Sequence, residues 1–192
     1  LYKTTWFNFL LPPELRCYFY TKTNSDRLNK DDLFSLTEFA LICFEELDGM
    51  RPAELNQLKA MVTMPYVNER AAYGRNKERH PHIASFCGTG NNVQFLTDPT
   101  GNRRWLPFEV SQIRDPHLHA IPYELVYSQA YALWKSGFCH WFSQEEIRKL
   151  NMNNSRFEVP NLEEDLIRTH FRKPFEGEAG IFVTAADILE QI

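Results

Sequence analysis

The segment "FALICFEELD", from Phe39 to Asp48, limits the possible folds more than any other stretch of the chain. Six apolar residues over 39–44 run directly into Glu45 and Glu46, and Asp48 follows two positions later. A short, continuous apolar run of this kind predicts a strand buried inside a core. The acids would then lie where that strand leaves the core, which raises the question of what the carboxylates bind.

Predicted helices alternate with predicted strands along the first part of the chain. Apolar residues at helical spacing predict three helices, "KTTWFNFLL", "NKDDLFSLTEF" and "RPAELNQLKAMVTM". Aromatic and β-branched runs predict strands in "RCYFYTKT", at 39–44, at Ile83–Cys87 and at Trp105–Val110. The polar segment "NERAAYGRNKERHPH" is predicted to be a loop. This alternation indicates an α/β core over residues 1–112.

Beyond residue 112 the pattern contains helices only. Ser143 and Glu146 stand at capping-box spacing at the start of one of them. The predicted helices are "YELVYSQAYALWKSG", "SQEEIRKLN", "NLEEDLIRTHF" and "VTAADILEQI". The sequence therefore predicts a helical C-terminal extension over residues 113–192, and we expect the chain to stop inside its last helix.

Composition excludes some classes of protein. With 25 acidic and 21 basic residues, the net charge of −4 argues against a surface broadly coated by nucleic acid, although it leaves room for a local basic site. No apolar run approaches the roughly 18 residues of a membrane helix. The four cysteines are far apart and form no CxxC pair, which predicts reduced thiols in a cytoplasmic protein.

Three short motifs are candidates for a site. Lys3-Thr4 stands directly before a predicted helix, as the last residues of a phosphate-binding loop do. Glu45 and Glu46 end a buried strand, where one carboxylate can orient Mg²⁺ and its neighbour can polarise water. Asn91 ends the next strand and can position that water. Taken singly, each motif is also compatible with an ordinary structural role as a chain terminus, solvated acids or a turn asparagine.

Cationic side chains form two further candidates. Arg103 and Arg104, in "TGNRRW", can stabilise transition-state charge in a neighbouring subunit's site, contact nucleic-acid phosphate, or simply be solvated. The predicted loop can present a strip to nucleic acid, with Tyr73 stacking on a base, or be a solvated charged loop. The cations of this strip are Arg70, Arg75, Lys77 and Arg79.

The order of these motifs is that of a helicase-like P-loop ATPase, and the chain resembles the virulence-associated protein E family. The resemblance lies in "KTTWFNFLLPPEL", in "EFALICFEELDGMRPAELNQLKAMVT" and in "ERAAYGRNKERHPHIASFCGTGNNVQFLTDPTGNRRWLPFEV". It covers residues 1–110 and extends more loosely into the helical remainder. Members are phage- and island-borne P-loop ATPases, similar to superfamily 3 helicases and often linked to primases. The implied fold is a P-loop NTPase-like, mainly parallel sheet flanked by helices.

The resemblance also implies roles for individual residues. Lys3, Thr4 and Thr5 match the end of the phosphate loop that binds ATP, and Thr4 with Glu45 matches the Mg²⁺ ligands. Glu46 would polarise water, Asn91 would orient it, and Arg103 or Arg104 would act in trans within a homo-oligomeric ring coupled to DNA.

Two departures from the family pattern accompany these matches. The glycine-rich half of the phosphate loop is absent from these residues, so we expect nucleotide binding by this chain to be weak. The usual Asp-Glu pair of the family is Glu45-Glu46 here. The residue types therefore do not distinguish the carboxylate that holds Mg²⁺ from the one that polarises water.

Two alternatives stay open. One is a decayed ATPase that acts as a nucleic-acid or protein binding module through the strip at 70–79. The other is a metal-dependent nuclease that uses Glu45, Glu46 and Asp48.

Overall fold

The computed structural model describes residues 2–23, 28–70, 75–97 and 102–191, with the side chains of 164, 190 and 191 left out. The chain divides into two compact units, Leu1–Glu158 and Val159–Ile192. The change from α/β core to helical extension that the sequence predicts near residue 112 falls within the first unit and stays a prediction. The first unit holds all of the described strands.

The described secondary structure consists of five strands, seven helices and short 3-10 turns. The strands are β1 Phe19–Lys22, β2 Leu41–Phe44, β3 Tyr66–Glu69, β4 Glu78–Pro81 and β5 Ser85–Gly88. The helices are α1 Lys3–Asn8, α2 Lys30–Glu38, α3 Pro52–Thr63, α4 Tyr123–Lys135, α5 Gln144–Asn154, α6 Leu162–His170 and α7 Ala185–Gln191. The 3-10 turns are Pro13–Tyr18, Leu47–Gly49, Asn102–Arg104 and Ser155–Phe157.

A small parallel sheet lies at the centre of the first unit. Its strand order is β1-β2-β5, and both pairings are parallel. The central strand is the apolar run of the sequence, in which Ile42 and Phe44 are each 1% exposed. Side chains from α2 and α3, including Leu36 and Leu58, belong to the same buried cluster. The predicted α/β arrangement, with a parallel sheet flanked by helices, is therefore confirmed at this level.

Polar contacts fix the start of α2 to the end of β1. Asn29 Oδ1 accepts hydrogen bonds from the amides of Asp31 and Asp32, and the Asp32 carboxylate accepts one from the Asn29 amide. This is a capping box, and it agrees with the predicted first-turn acids. Asp32 also forms a buried ion pair with Lys22, with Nζ 2.8 Å from Oδ1. The sequence did not indicate that pair.

The predicted loop at 68–82 is wrong at 68–69 and 78–81, which lie in strands. It is correct at the other described residues, 70, 75–77 and 82, which belong to no strand or helix. Strands β3 and β4 form an antiparallel hairpin in which Val67 pairs with His80 and Asn68 with Arg79. The sequence pattern hid the hairpin because Val67 alone of β3 is buried and β4 has no buried residue. Backbone pairing, rather than an apolar face, defines these strands.

The predicted strand Trp105–Val110 is also wrong. These residues follow the Asn102–Arg104 turn without regular structure, and Phe108 is 81% exposed. Pro107 lies in the middle of the run and has no amide to donate to a ladder, so it disfavours a paired strand. The predicted helices beyond residue 112 are confirmed, and the capping box of Ser143 and Glu146 is present at the start of α5.

All four cysteines are free thiols, as the sequence predicted. Cys43 and Cys87 face each other in register on β2 and β5. Among the described residues, no helix combines the length and the apolar character that crossing a bilayer requires.

Candidate functional site

Four of the predicted site residues meet at the carboxyl ends of β2 and β5. Glu45 directly follows β2, and Asn91 lies three residues beyond β5. The start of α1 reaches both. Thr4 Oγ1 donates a 2.6 Å hydrogen bond to Glu45 Oε1. Lys3 Nζ donates to Asn91 Oδ1 at 3.1 Å and also to the Gly90 carbonyl. Three distant parts of the sequence thus form one polar cluster, at the edge of a parallel sheet where α/β proteins commonly bind ligands.

Tyrosines of α4 hold the far end of α1. Tyr123 Oη donates to the Phe9 carbonyl at 2.6 Å, and Tyr127 Oη donates to the Leu10 carbonyl at 3.0 Å. Arg16 lies over the Phe9 ring and donates to Tyr123 Oη. Because α1 has only six residues, these anchors at its far end support the position that the bonds of Lys3 and Thr4 fix at its start.

The turns after β2 and β5 are bonded to each other. The Leu47 amide donates to the Thr89 carbonyl, and the Thr89 amide donates to the Phe44 carbonyl, both at 2.9 Å. Asp48 Oδ2 accepts a 3.0 Å hydrogen bond from the Asn92 amide. These bonds fix the position of Asn91 relative to Glu45.

Asp48 is therefore a support for the Asn91 turn and lies within the 3-10 turn Leu47–Gly49. Its approach to the Asn91 turn favours glycine at position 90, since a Cβ there would lie 2.9 Å from Asp48 Oδ1 and the carboxylate would have to move. Sequence reasoning missed this supporting role. The signal available for it was the glycine between Thr89 and Asn91.

Backbone strain is concentrated at the same place. Among the described non-glycine residues, positive φ occurs at Tyr2 (69°) and Glu46 (54°). Left-handed backbone costs an L-residue about 1–2 kcal/mol, and such residues cluster at functional sites. Tyr2 precedes Lys3, and Glu46 follows Glu45. The strain thus falls on two of the three segments that build the cluster.

A depression of about 390 Å³ adjoins the cluster. Its lining residues are Thr4, Thr5, Asn8, Phe9, Phe19, Thr21 and Glu45. Hydroxyl and carboxylate oxygens are the ligands Mg²⁺ prefers, and Mg²⁺ usually completes its shell with water and substrate phosphates. Among the described residues, no group of three or more His, Cys, Asp or Glu side chains is arranged to hold a metal. Thr4 and Glu45 contribute one hydroxyl and one carboxylate oxygen beside this depression.

The remaining predicted site residues lie on the surface. Glu46 is exposed, and so are Arg103 and Arg104 in the turn Asn102–Arg104. The described cations of the basic strip are also exposed and border the β3–β4 hairpin: Arg70, Arg75, Lys77 and Arg79. The Arg79 guanidinium lies 3.6 Å from the centre of the Tyr66 ring. Tyr73 and residues 98–101 lie outside the described residues.

The comparisons with known proteins agree with the compact unit that contains this cluster. The virulence-associated protein E-like domain matches residues 1–159, nearly the same span as the unit Leu1–Glu158. No curated protein matches the chain. Because the family match covers most of the 192 residues, the chain belongs to the virulence-associated protein E-like domain family.

Proposed function

We propose that this chain is the ATPase core of a phage- or mobile-element-type helicase-like protein that hydrolyses ATP with Mg²⁺ and couples hydrolysis to DNA during replication. Family membership supports the association with mobile elements and with helicase and primase proteins. The observation that carries the proposal is the cluster of Lys3, Thr4, Glu45 and Asn91. It combines one cation, one hydroxyl, one carboxylate and one amide within hydrogen-bond reach.

Each residue of the cluster has a role that suits this reaction. A lysine ammonium has three N–H donors, and Lys3 directs two of them to Gly90 and Asn91, which leaves one for a phosphate oxygen. Thr4 and Glu45 would hold Mg²⁺, which neutralises phosphate charge when it is bound. Glu46 would polarise the attacking water, and Asn91 would orient it.

The exposed cations would contact the two partners that such a protein needs, a neighbouring copy of the chain and DNA. Arg103 or Arg104 would act on ATP bound by a neighbouring copy in a homo-oligomer. The β3–β4 hairpin would contact DNA phosphates through the exposed cations of the strip, Arg70, Arg75, Lys77 and Arg79. The Arg79 guanidinium also lies over the Tyr66 ring. The protein would act in the cytoplasm, where both DNA and ATP are available.

ATP turnover in the full-length protein tests the enzymatic proposal. We expect Mg²⁺-dependent phosphate release that Glu46→Gln lowers by at least about 100-fold while ATP affinity stays intact. Lys3→Ala should weaken ATP binding itself. Lys149→Ala, on the exposed face of α5 and paired with Glu145, is the matched charge control. A wild-type protein that binds no ATP in the presence of Mg²⁺ would disprove the proposal.

DNA affinity as a function of salt concentration separates the ATPase from the decayed binding module. The exposed basic hairpin favours DNA contact in either case, so Lys77→Ala should lower the logarithmic salt slope by about 1, whereas Lys149→Ala should leave it unchanged. DNA binding without any ATP hydrolysis would support the binding module instead. An unchanged salt slope in Lys77→Ala would show that the hairpin does not contact DNA through Lys77.

A further inference from the structure

Asn154 is a fully buried polar residue at the end of α5, with 0% of its surface exposed. Its Nδ2 donates to the carbonyl of Asn102 at 2.8 Å and to the carbonyl of Trp105 at 3.0 Å. These two carbonyls enclose Arg103 and Arg104 in the sequence. A primary amide carries two N–H donors, and both are used to hold the backbone on either side of the arginine pair.

Further bonds join the residues after α5 to the chain before and after position 101. Asn102, 2% exposed, donates from Nδ2 to Glu158 Oε1 at 2.6 Å. The amides of Phe95 and Leu96 both donate to the Phe157 carbonyl, at 2.9 and 3.0 Å. The end of α5 and the residues after it are therefore hydrogen-bonded to the chain on both sides of position 101. We call the contacts of Asn154 and Glu158 with residues 102–105 the Asn154 clamp.

Packing alone does not account for the clamp. Asn102 Oδ1, Trp105 Nε1 and Asn154 Oδ1 are buried and have no hydrogen-bond partner among the described residues. Each buried polar atom left unpaired costs about 1–3 kcal/mol, and apolar side chains of similar volume would avoid that cost. What the polar side chain of Asn154 provides is a fixed shape for the backbone of the turn Asn102–Arg104.

We propose that Asn154 is a positioning residue, which orients Arg103 and Arg104 toward the phosphates of ATP bound by a neighbouring copy of the chain. This inference rests on the proposed function, because it assumes that the arginines act on ATP. A guanidinium binds phosphate in a fork geometry that demands a defined approach. Misplacement by about 1 Å costs roughly 100-fold in rate. Helix α5 is then part of the ATP-hydrolysing machinery even though it lies more than 50 residues after the parallel sheet.

Amide hydrogen exchange in the full-length protein tests the clamp without relying on ATP turnover. Asn154→Asp keeps the size of the side chain and removes both donors, so exchange in residues 102–106 should rise by about tenfold or more. Peptides from α1 and β2 should be unaffected. Asn153→Asp makes the same change at the exposed neighbouring position and should have no effect. Unchanged exchange at 102–106 in Asn154→Asp would overturn the proposal.

If Asn154→Asp does not fold, Asn154→Leu provides the same test, because leucine is close to asparagine in volume, introduces no buried charge and lacks both donors. Exchange at 102–106 should again rise by about tenfold or more over that of the wild type. Exchange equal to that of the wild type would again overturn the proposal.

ATP hydrolysis then tests whether Asn154 acts through the arginines. Asn154→Asp should lower kcat at least tenfold and leave KM for ATP unchanged, since the contacts of Lys3 and Thr4 remain. In the Arg103→Ala/Arg104→Ala background, adding Asn154→Asp should cause no further loss. A further tenfold loss there would overturn the proposal. A wild-type protein without ATPase activity would instead sink the proposed function, and the exchange experiment would still decide whether Asn154 fixes the turn.

Discussion

Thr4 and Glu45 are separated by 41 positions in the sequence, and a 2.6 Å hydrogen bond joins Thr4 Oγ1 to Glu45 Oε1. This bond fixes the start of α1 against the end of the buried strand β2. It also brings together the two oxygens that the proposed function assigns to Mg²⁺. The geometry that would bind the cation is thus already held by the fold, and its contribution to stability can be measured without any ligand.

Thr4→Val should lower the free energy of unfolding by about 1–2 kcal/mol, because it removes the donor to a partly buried carboxylate. Urea unfolding followed by circular dichroism measures the change. Thr63→Val is the matched control, since the Thr63 hydroxyl bonds only to carbonyls of its own helix. Equal losses in the two variants would mean that the bond between Thr4 and Glu45 contributes nothing specific.

Gly90→Ala should destabilise the protein by about 1 kcal/mol. The new Cβ would lie 2.9 Å from Asp48 Oδ1, so the Asp48 carboxylate must move and weaken its hydrogen bond with the Asn92 amide. Asp48→Ala removes the clashing carboxylate, and the double variant should therefore lose less stability than the sum of the two single variants. Additive losses in urea unfolding would contradict the contact between Gly90 and Asp48.

Asp32→Asn should cost about 3 kcal/mol or more, because it leaves the buried ammonium of Lys22 without its carboxylate. Asp31→Asn changes the same charge on the same helical turn at an exposed position and should cost about 0.5 kcal/mol. Thermal or urea unfolding distinguishes them. Similar costs for both substitutions would show that the ion pair is not buried in solution.

Two of the four thiols should resist modification in the folded protein. A hydrogen bond with Cys43, then burial, raises the pKa of the Cys87 thiol, and a raised pKa lowers the fraction of reactive thiolate at neutral pH. Cys43 is itself buried. Ellman's reagent at pH 7.5 should react promptly with the exposed Cys17 and Cys139 and with all four thiols in urea. A third thiol that reacts promptly in the folded protein would contradict this arrangement.

Sequence patterns predicted the strands and helices whose formation depends on residues close together in the chain. The apolar run at 39–44 predicted β2 because a continuous apolar segment must be buried whatever surrounds it. Ser143 and Glu146 predicted the start of α5 because a capping box is satisfied within four residues. The β3–β4 hairpin escaped prediction because it has one buried apolar residue, Val67, in β3 and otherwise depends on pairing between strands. The prediction of a strand at 105–110 relied on apolar content and neglected Pro107, which has no amide to donate to a neighbouring strand.

The order of motifs in the sequence indicated that Lys3, Thr4, Glu45 and Asn91 belong together, and the structure brings them into contact. The supports of that cluster had no comparable signal. Asp48 bonds to the Asn92 amide across 44 positions, and Asn154 bonds to the Asn102 carbonyl across 52. Neither contact follows a helical or strand period, and each depends on how separate segments pack. The sequence therefore predicts groups that carry chemistry better than the residues that hold them in place.

The left-handed backbone at Glu46 separates what the fold tolerates from what the proposed chemistry needs. Glycine adopts this conformation without the steric cost that a glutamate pays. Glu46→Gly would therefore leave the folded state as stable as before, or more stable by about 1 kcal/mol, while it removes the carboxylate. Quality control in the cell degrades unstable chains and would not recognise this defect. Cells that carried the change would accumulate a folded protein that lacks the carboxylate of the proposed reaction, so protein abundance would not report the loss of that activity.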